Sequence, residues 1–360
     1  MRLFITVVLS VLLTLGPDAP QCRGVEAQLL TATKRIEQGG LDEAKLILLQ
    51  IRQSHPGCHK VFLGLGRIAA AQRNPAAAEE FFTQYKNSAP SDPEGYYHLG
   101  ELFLSLSKGR IKDEYFHQAD LMSELAVRFG PHHPQALLLR ANILLAQGQT
   151  SETRMLVEKA CTLAPENVNG RFLLGMVLYK QKRYSEAKAQ FEKVIGINPL
   201  NAWAYDYLAL NLERLGDSQN AGLTFQKGLE INQGEFFDNS LQYNYGSFLL
   251  RQNELSKAKL HLDRAVDFVP DKRAAYYERA RLNLRLRNYQ EAREDLNNAL
   301  RFQSPAGGSV EDRQIYYLLS RVYSELGEVD LAKKYAGLTR EAPANSESSA
   351  PEGNTPPKHE

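Results

Sequence analysis

An excess of charge of either sign is missing from this chain: 43 lysines and arginines stand against 42 aspartates and glutamates, a net of +1 over 360 residues. A surface so balanced exerts no long-range pull on nucleic acid or anionic lipid, which excludes both as principal partners. Cysteine is scarce, with three in the chain, so the disulfide framework that holds small secreted domains together is not expected. Cys58 and Cys161 read instead as small buried apolar residues near helix ends, too far apart along the chain to pair. No apolar run reaches the roughly 20 residues that a bilayer-spanning helix needs. There is no Asn-x-Ser/Thr acceptor site, which favours a bacterial envelope protein over a glycosylated secreted one. His-Glu-x-x-His, Gly-x-Ser-x-Gly and the phosphate-binding loop are also missing, and nothing sets a nucleophile beside a base. The chain reads as a non-enzyme that needs no small-molecule cofactor.

The two ends differ from the rest. Met1-Arg2 precedes a mostly apolar run, Leu3 to Leu15, that Gly16-Pro17 breaks. One basic residue, about a dozen apolar ones and a breaker make a secretory signal peptide over residues 1–24, with cleavage after Ala19, Gly24 or Ala27. The expected location is therefore periplasmic or extracellular, with membrane contact only through this segment where it is retained. Ala19-Pro20-Gln21 is a poor match to the bacterial lipoprotein signal, so lipid attachment at Cys22 is not expected. Residues 341–360 hold no aromatic or large aliphatic residue and read as a disordered tail, since they have nothing to bury.

Between the ends lies a period. Alanines recur at Ala44, Ala78, Ala119, Ala187, Ala221, Ala258, Ala292 and Ala332, with Thr153 as the one substituted mark; five of the eight intervals are 34 residues, the others 41, 37 and 40. A period in this range means stacked structural repeats rather than one globule. Around Ala187 the unit is plain. Leu174 and Leu178 lie on one face of a first helix, where Gly175 lets a partner helix approach. Ala187, Phe191 and Val194 mark the matching face of a second helix, and Pro199 ends it. A proline stands twelve residues after the mark at Pro56, Pro90, Pro131, Pro165, Pro199 and Pro270. The first-helix small residue returns as Ala32, Gly66, Gly100, Ala141, Gly175, Ala209, Gly246, Ala280 and Ser320.

This pattern resembles the tetratricopeptide repeat, a 34-residue helix-turn-helix. The resemblance covers residues 25–340 and implies an all-α, right-handed superhelical solenoid of about nine repeats, with units near 25–58, 59–92, 93–133, 134–167, 168–201, 202–238, 239–272, 273–312 and 313–340. Extra residues near Lys108 to Tyr115, Gly234 to Phe237 and Pro305 to Val310 should alter the angle between neighbours. The Gly64-Leu65-Gly66 string falls inside a first helix, where a dinucleotide fingerprint has no preceding strand. His132-His133 lacks the neighbours of a tetrahedral metal site and reads as a solvated turn.

In the family, first helices line the inner groove. Its fifth-position residues here are Leu29, Leu63, Tyr97, Leu138, Phe172, Asp206, Tyr243, Tyr277 and Tyr317, with Trp203 and Tyr207 beside them. One turn on come Met176, Arg214, Arg251, Arg281, Arg285 and Arg321. Aromatics give contact area at low entropy cost and arginines grip carboxylates, so this row is the expected site for a protein or peptide segment carrying acidic and apolar residues. Repeat four offers Leu138 and Asn142 where a clamp for chaperone tails would need lysine and asparagine, so that use is not expected. The function expected is a non-catalytic interaction scaffold in an exported or envelope complex. The alternatives are a substrate-targeting subunit of a separate exported enzyme and a self-assembling structural protein.

Overall fold

The computed structural model describes residues 22–107, 111, 113–231, 238–268, 272–302 and 310–342, with backbone alone at 238–239 and 267–268. Residues 1–21 of the expected leader, the tail beyond residue 342 and most of the three insertions lie outside the described residues. Those that are described form eighteen α-helices and no strand. They divide into two compact units, residues 1–190 and 191–360, each taken by itself below.

In the first unit α1 (Glu26–Glu37) pairs with α2 (Leu41–Ser54), α3 (Lys60–Ala71) with α4 (Pro75–Ser88), α5 (Pro93–Ser107) with α6 (Glu114–Phe129), and α7 (Pro134–Ala146) with α8 (Thr150–Leu163). Then come α9 (Val168–Lys180) and α10 (Tyr184–Ile197), the latter crossing the division. In the second unit the pairs are α11 (Ala202–Arg214) with α12 (Ser218–Ile231), α13 (Asp238–Arg251) with α14 (Leu255–Phe268), α15 (Lys272–Arg285) with α16 (Tyr289–Arg301), and α17 (Asp312–Glu325) with α18 (Val329–Glu341). Within each unit, second helices pack on the first helix that follows them, and successive first helices touch one another. The core therefore runs between neighbours, as in a helical repeat solenoid.

The periodic residues do what their size allows. Ala44, Ala78, Ala119, Ala187, Ala221, Ala258 and Ala292 are fully buried, as is Thr153, whose hydroxyl donates to the Gln149 carbonyl at 2.7 Å. That bond satisfies the one polar group the substitution introduces. On the facing helix, a Cβ on Gly66 would lie 2.5 Å from the Phe82 ring, so only glycine fits there. Gly246 is held as tightly, with Leu262 at 2.8 Å from such a Cβ.

Turns inside the repeats share a conformation that the sequence does not announce. Five residues before the mark the chain turns left-handed at Gly39, Arg73, Gly148, Lys182, Gly216, Asn253, Arg287 and Gly327. Helices end readily on such a residue, which returns N–H groups to the last carbonyls. At Arg73, Lys182 and Arg287 a side chain bears the strain that glycine avoids. Starts are capped too. Asn74, Asn167 and Asn201 accept from the N–H of Ala77, Gly170 and Ala204 at 3.2, 2.9 and 3.0 Å, each satisfying a donor the helix cannot.

One expectation is overturned at the N-terminal end. Cys22 and Cys58, 36 residues apart, are joined by a disulfide with their Cα atoms 4.7 Å apart. Cys58 is thus a cross-link rather than a small apolar filler, while Cys161 remains a thiol at a half-buried site. The reason is that residues 22–25 fold back over the end of the first repeat, burying Cys22 and Val25 in the same core as Ile51, Cys58 and Val61. Closing a loop of that size stabilises the fold by roughly 4 kcal/mol through the unfolded chain.

Candidate functional site

The first unit has an open cavity of about 670 Å³ on its first-helix side. Its wall includes Arg67 of α3, Tyr97, His98 and Glu101 of α5, and the apolar Ile36 and Leu106. Beneath it the residues interlock. His98 stacks on Phe82 with ring centres 5.0 Å apart, 3.5 Å from Glu94 and 3.7 Å from Glu101. Burial drives its pKa down to about 4 against the pull of Glu94, so it is neutral at physiological pH. Burial, together with the Glu101 carboxylate that accepts its hydrogen bond, raises the Tyr97 hydroxyl. Glu101 is itself raised, by burial and by Glu94.

His133 departs from the expected solvated turn. Its Nδ1 accepts from the Ala136 N–H at 3.1 Å, capping α7, and its Nε2 lies 3.2 Å from Glu94. An accepting Nδ1 places the proton on Nε2, which therefore donates to the carboxylate. Burial would raise Glu94, but this bond and the nearby His98, His133 and Arg67 hold it below its ordinary value. No group of three His, Cys, Asp or Glu able to hold a metal occurs among the described residues.

In the second unit the members of the expected row differ in exposure. Trp203 on α11 is 37% exposed and Tyr317 on α17 is 54% exposed. Arg214 and Arg321 are exposed. Tyr207 is half-buried, its ring centre 5.7 Å from Phe191, and Tyr243 packs against the core around Tyr277. Tyr277 is only 9% exposed, and burial raises its hydroxyl pKa. Arg251 holds Glu213 through two bonds of 2.7 and 2.9 Å, and Arg281 holds Glu278 at the same two distances. Arg285 donates to the Leu250 carbonyl at 2.6 Å. Asp206 is 2% exposed, not groove-facing: Oδ2 accepts from Asn244 at 2.8 Å and Oδ1 has no hydrogen-bond partner. Burial lifts its pKa to about 7. In the first unit Leu138 is likewise buried, while Leu29, Leu63 and Phe172 are half-buried.

A second feature has a clear sequence signal that the alanine marks hide. Two residues after the mark, Leu46, Leu121 and Met155 in the first unit and Leu223 and Leu260 in the second are all exposed. Second helices normally show polar residues there, as Glu80 and Glu294 do.

With this geometry in view, the comparisons with known proteins are consistent. A family described as "Tetratricopeptide repeat" matches residues 29–93, 172–235 and 243–308, more than half of the chain, and a second of the same description matches 314–336. The chain belongs to the tetratricopeptide repeat family. A family described as "Anaphase-promoting complex, cyclosome, subunit 3" matches residues 112–194. Anaphase-promoting complex subunit 3 of Schizosaccharomyces pombe is 23% identical over 64% of this chain and 35% of its own length. Cellulose synthase operon protein C of Xanthomonas axonopodis pv. citri is 28% identical over 64% of this chain and 15% of its own. The chain thus spans about a third or less of these relatives. Among solved structures, the Cut9–Hcn1 hetero-tetramer of the APC/C aligns with a TM-score of 0.62 at 16% identity, over 89% of this chain and 61% of that one. A tetratricopeptide repeat protein from Parabacteroides merdae aligns at 0.54 and 14%, over 76% of this chain and 98% of that one. At such identities these structures speak for the fold alone.

Proposed function

We propose that this chain is a non-catalytic scaffold that docks a segment of a protein partner against its first helices and does so after export. The observation that carries the reading is the exposure of Trp203 and Tyr317 on first helices of the second unit. Large aromatics left open on an otherwise well-packed face are the anchors on which interfaces concentrate their binding energy. A relative named as a subunit of the anaphase-promoting complex supports a place in an assembly, and the N-terminal apolar run supports export. With Arg251 and Arg281 already paired, the partner's main contacts are apolar and aromatic, and the exposed Arg321 supplies charge beside Tyr317.

The test is affinity capture with the full chain against a Trp203→Ala, Tyr317→Ala variant, followed by titration of the captured partner. Loss of two anchors should weaken binding by about 2 kcal/mol or more, roughly 30-fold. A variant that keeps its helical circular dichroism and binds its partner at wild-type strength refutes the assignment of this face.

A further inference from the structure

We infer that Cys22 is kept in the exported protein, any cut falling before it, and that the Cys22–Cys58 bond is a working part of the mature first repeat. The inference rests on the export reading above. Of the three cleavage points the sequence offers, after Ala19, Gly24 or Ala27, only the first keeps Cys22 in the mature protein, as a retained leader also does.

The folded residues around Cys22 argue against the other two points. Cys22 and Val25 are both buried and share one core with Ala32, Ile51, Cys58 and Val61. The chain reaches α1 through a formed turn: Gly24 is left-handed, with φ +90°, and its N–H donates to the Glu26 carboxylate at 2.8 Å. The Val25 N–H then donates to the Cys22 carbonyl and the Leu29 N–H to the Val25 carbonyl. A cut after Gly24 would remove this turn and leave Cys58 without its partner. A cut after Ala27 would also remove Val25 and the first two residues of α1. Either one strips cover from the end of a stack whose first repeat has no neighbour on that side among the described residues, which is where repeat proteins need a cap.

The chemistry needs an oxidising compartment. Each thiol gives up a proton, and the electron pair passes by exchange to a protein disulfide donor, which leaves as a dithiol. A sulfur so engaged cannot also carry a lipid thioether, in keeping with the poor lipoprotein signal before it. Cys161, which remains a thiol in the fourth repeat, serves as the internal control.

The experiment uses the full-length chain with its own N-terminus in a bacterial host. Periplasmic and cytoplasmic pools are denatured, alkylated with and without prior reduction, and analysed by intact mass and peptide mapping. The expected result is a periplasmic chain that begins upstream of Cys22 and carries one alkyl group before reduction and three after. Its Cys22 peptide should be linked to its Cys58 peptide. An exported chain that begins at Val25 or Gln28, or that carries three alkyl groups without reduction, overturns the inference. A chain left uncut in the cytoplasm overturns the export reading and the cut site with it. Residues 20–360 behind a foreign leader then decide the bond alone, since reduced Cys22 and Cys58 in the periplasm would overturn it.

Discussion

Replacing Asp206 by asparagine should make this protein more stable at neutral and alkaline pH and leave it unchanged in acid. The Asp206 carboxyl lies on α11, 2% exposed, with one hydrogen bond from Asn244. Burial outweighs that bond and lifts its pKa from 3.8 to about 7. In the unfolded chain the proton leaves near pH 4, whereas the folded chain holds it until about pH 7. Between those values the folded state binds more protons, so stability falls as pH rises through the window and is level above it. Three pH units correspond to about 4 kcal/mol, at ~1.4 kcal/mol each. Asparagine keeps the shape and the contact with Asn244 but cannot ionise, so Asp206→Asn should gain up to ~4 kcal/mol at pH 8 and about nothing at pH 4. The assay is urea unfolding followed by tryptophan fluorescence at both pH values. Trp203, the only tryptophan of the chain, sits on the same helix three residues away and reports the transition at that place. A difference between variant and wild type that is equal at both pH values, or larger in acid, refutes the reasoning.

The left-handed turns offer a second test: Lys182→Gly should raise the urea midpoint by an amount equal to about 0.5–1 kcal/mol, because glycine relieves strain at φ 59°. No gain there would mean that the turn is not strained. Gly66→Ala should do the reverse and cost about 1–3 kcal/mol, since the added methyl would meet the Phe82 ring at 2.5 Å; a thermal melt within a degree of wild type would contradict it.

The architecture was legible because it repeats. Ala44, Ala78 and their successors mark buried positions of the second helices, and the first-helix glycines Gly66 and Gly246 face Phe82 and Leu262, four residues after the marks. What the sequence concealed is contact one period away. Arg251 meets Glu213 and Asn244 meets Asp206, each pair 38 residues apart, and His133 meets Glu94 at 39. A helix considered alone, as a solvent face with a groove position, does not show these partners, and Arg251 and Arg281 are each occupied by a carboxylate. The left-handed turns escaped notice because Arg73, Lys182 and Arg287 carry no glycine signal. The disulfide escaped because Cys22 lies within the span assigned to the leader. Trp203 and Tyr317 were visible as aromatics at the right register, but only burial separates them from Tyr277.

The cross-linked first repeat has a counterpart at the other terminus. None of the residues of α18 is buried, and it rests on α17 through partly covered side chains such as Leu331 and Tyr335, the latter stacked on Tyr323 with ring centres 5.4 Å apart. Where each repeat is held only by its neighbours, melting begins at a helix that, among the described residues, has one neighbour and no cross-link. Among the described residues, the first unit therefore opens on a cross-linked repeat and the second closes on a helix with no buried residue. The second unit should peel from α18, so that Tyr317, on the very next helix inward, is the first proposed contact to be lost. A partner seated on that tyrosine would hold α18 in place, and its binding would be read as slowed amide exchange in α17 and α18 before any other helix changes.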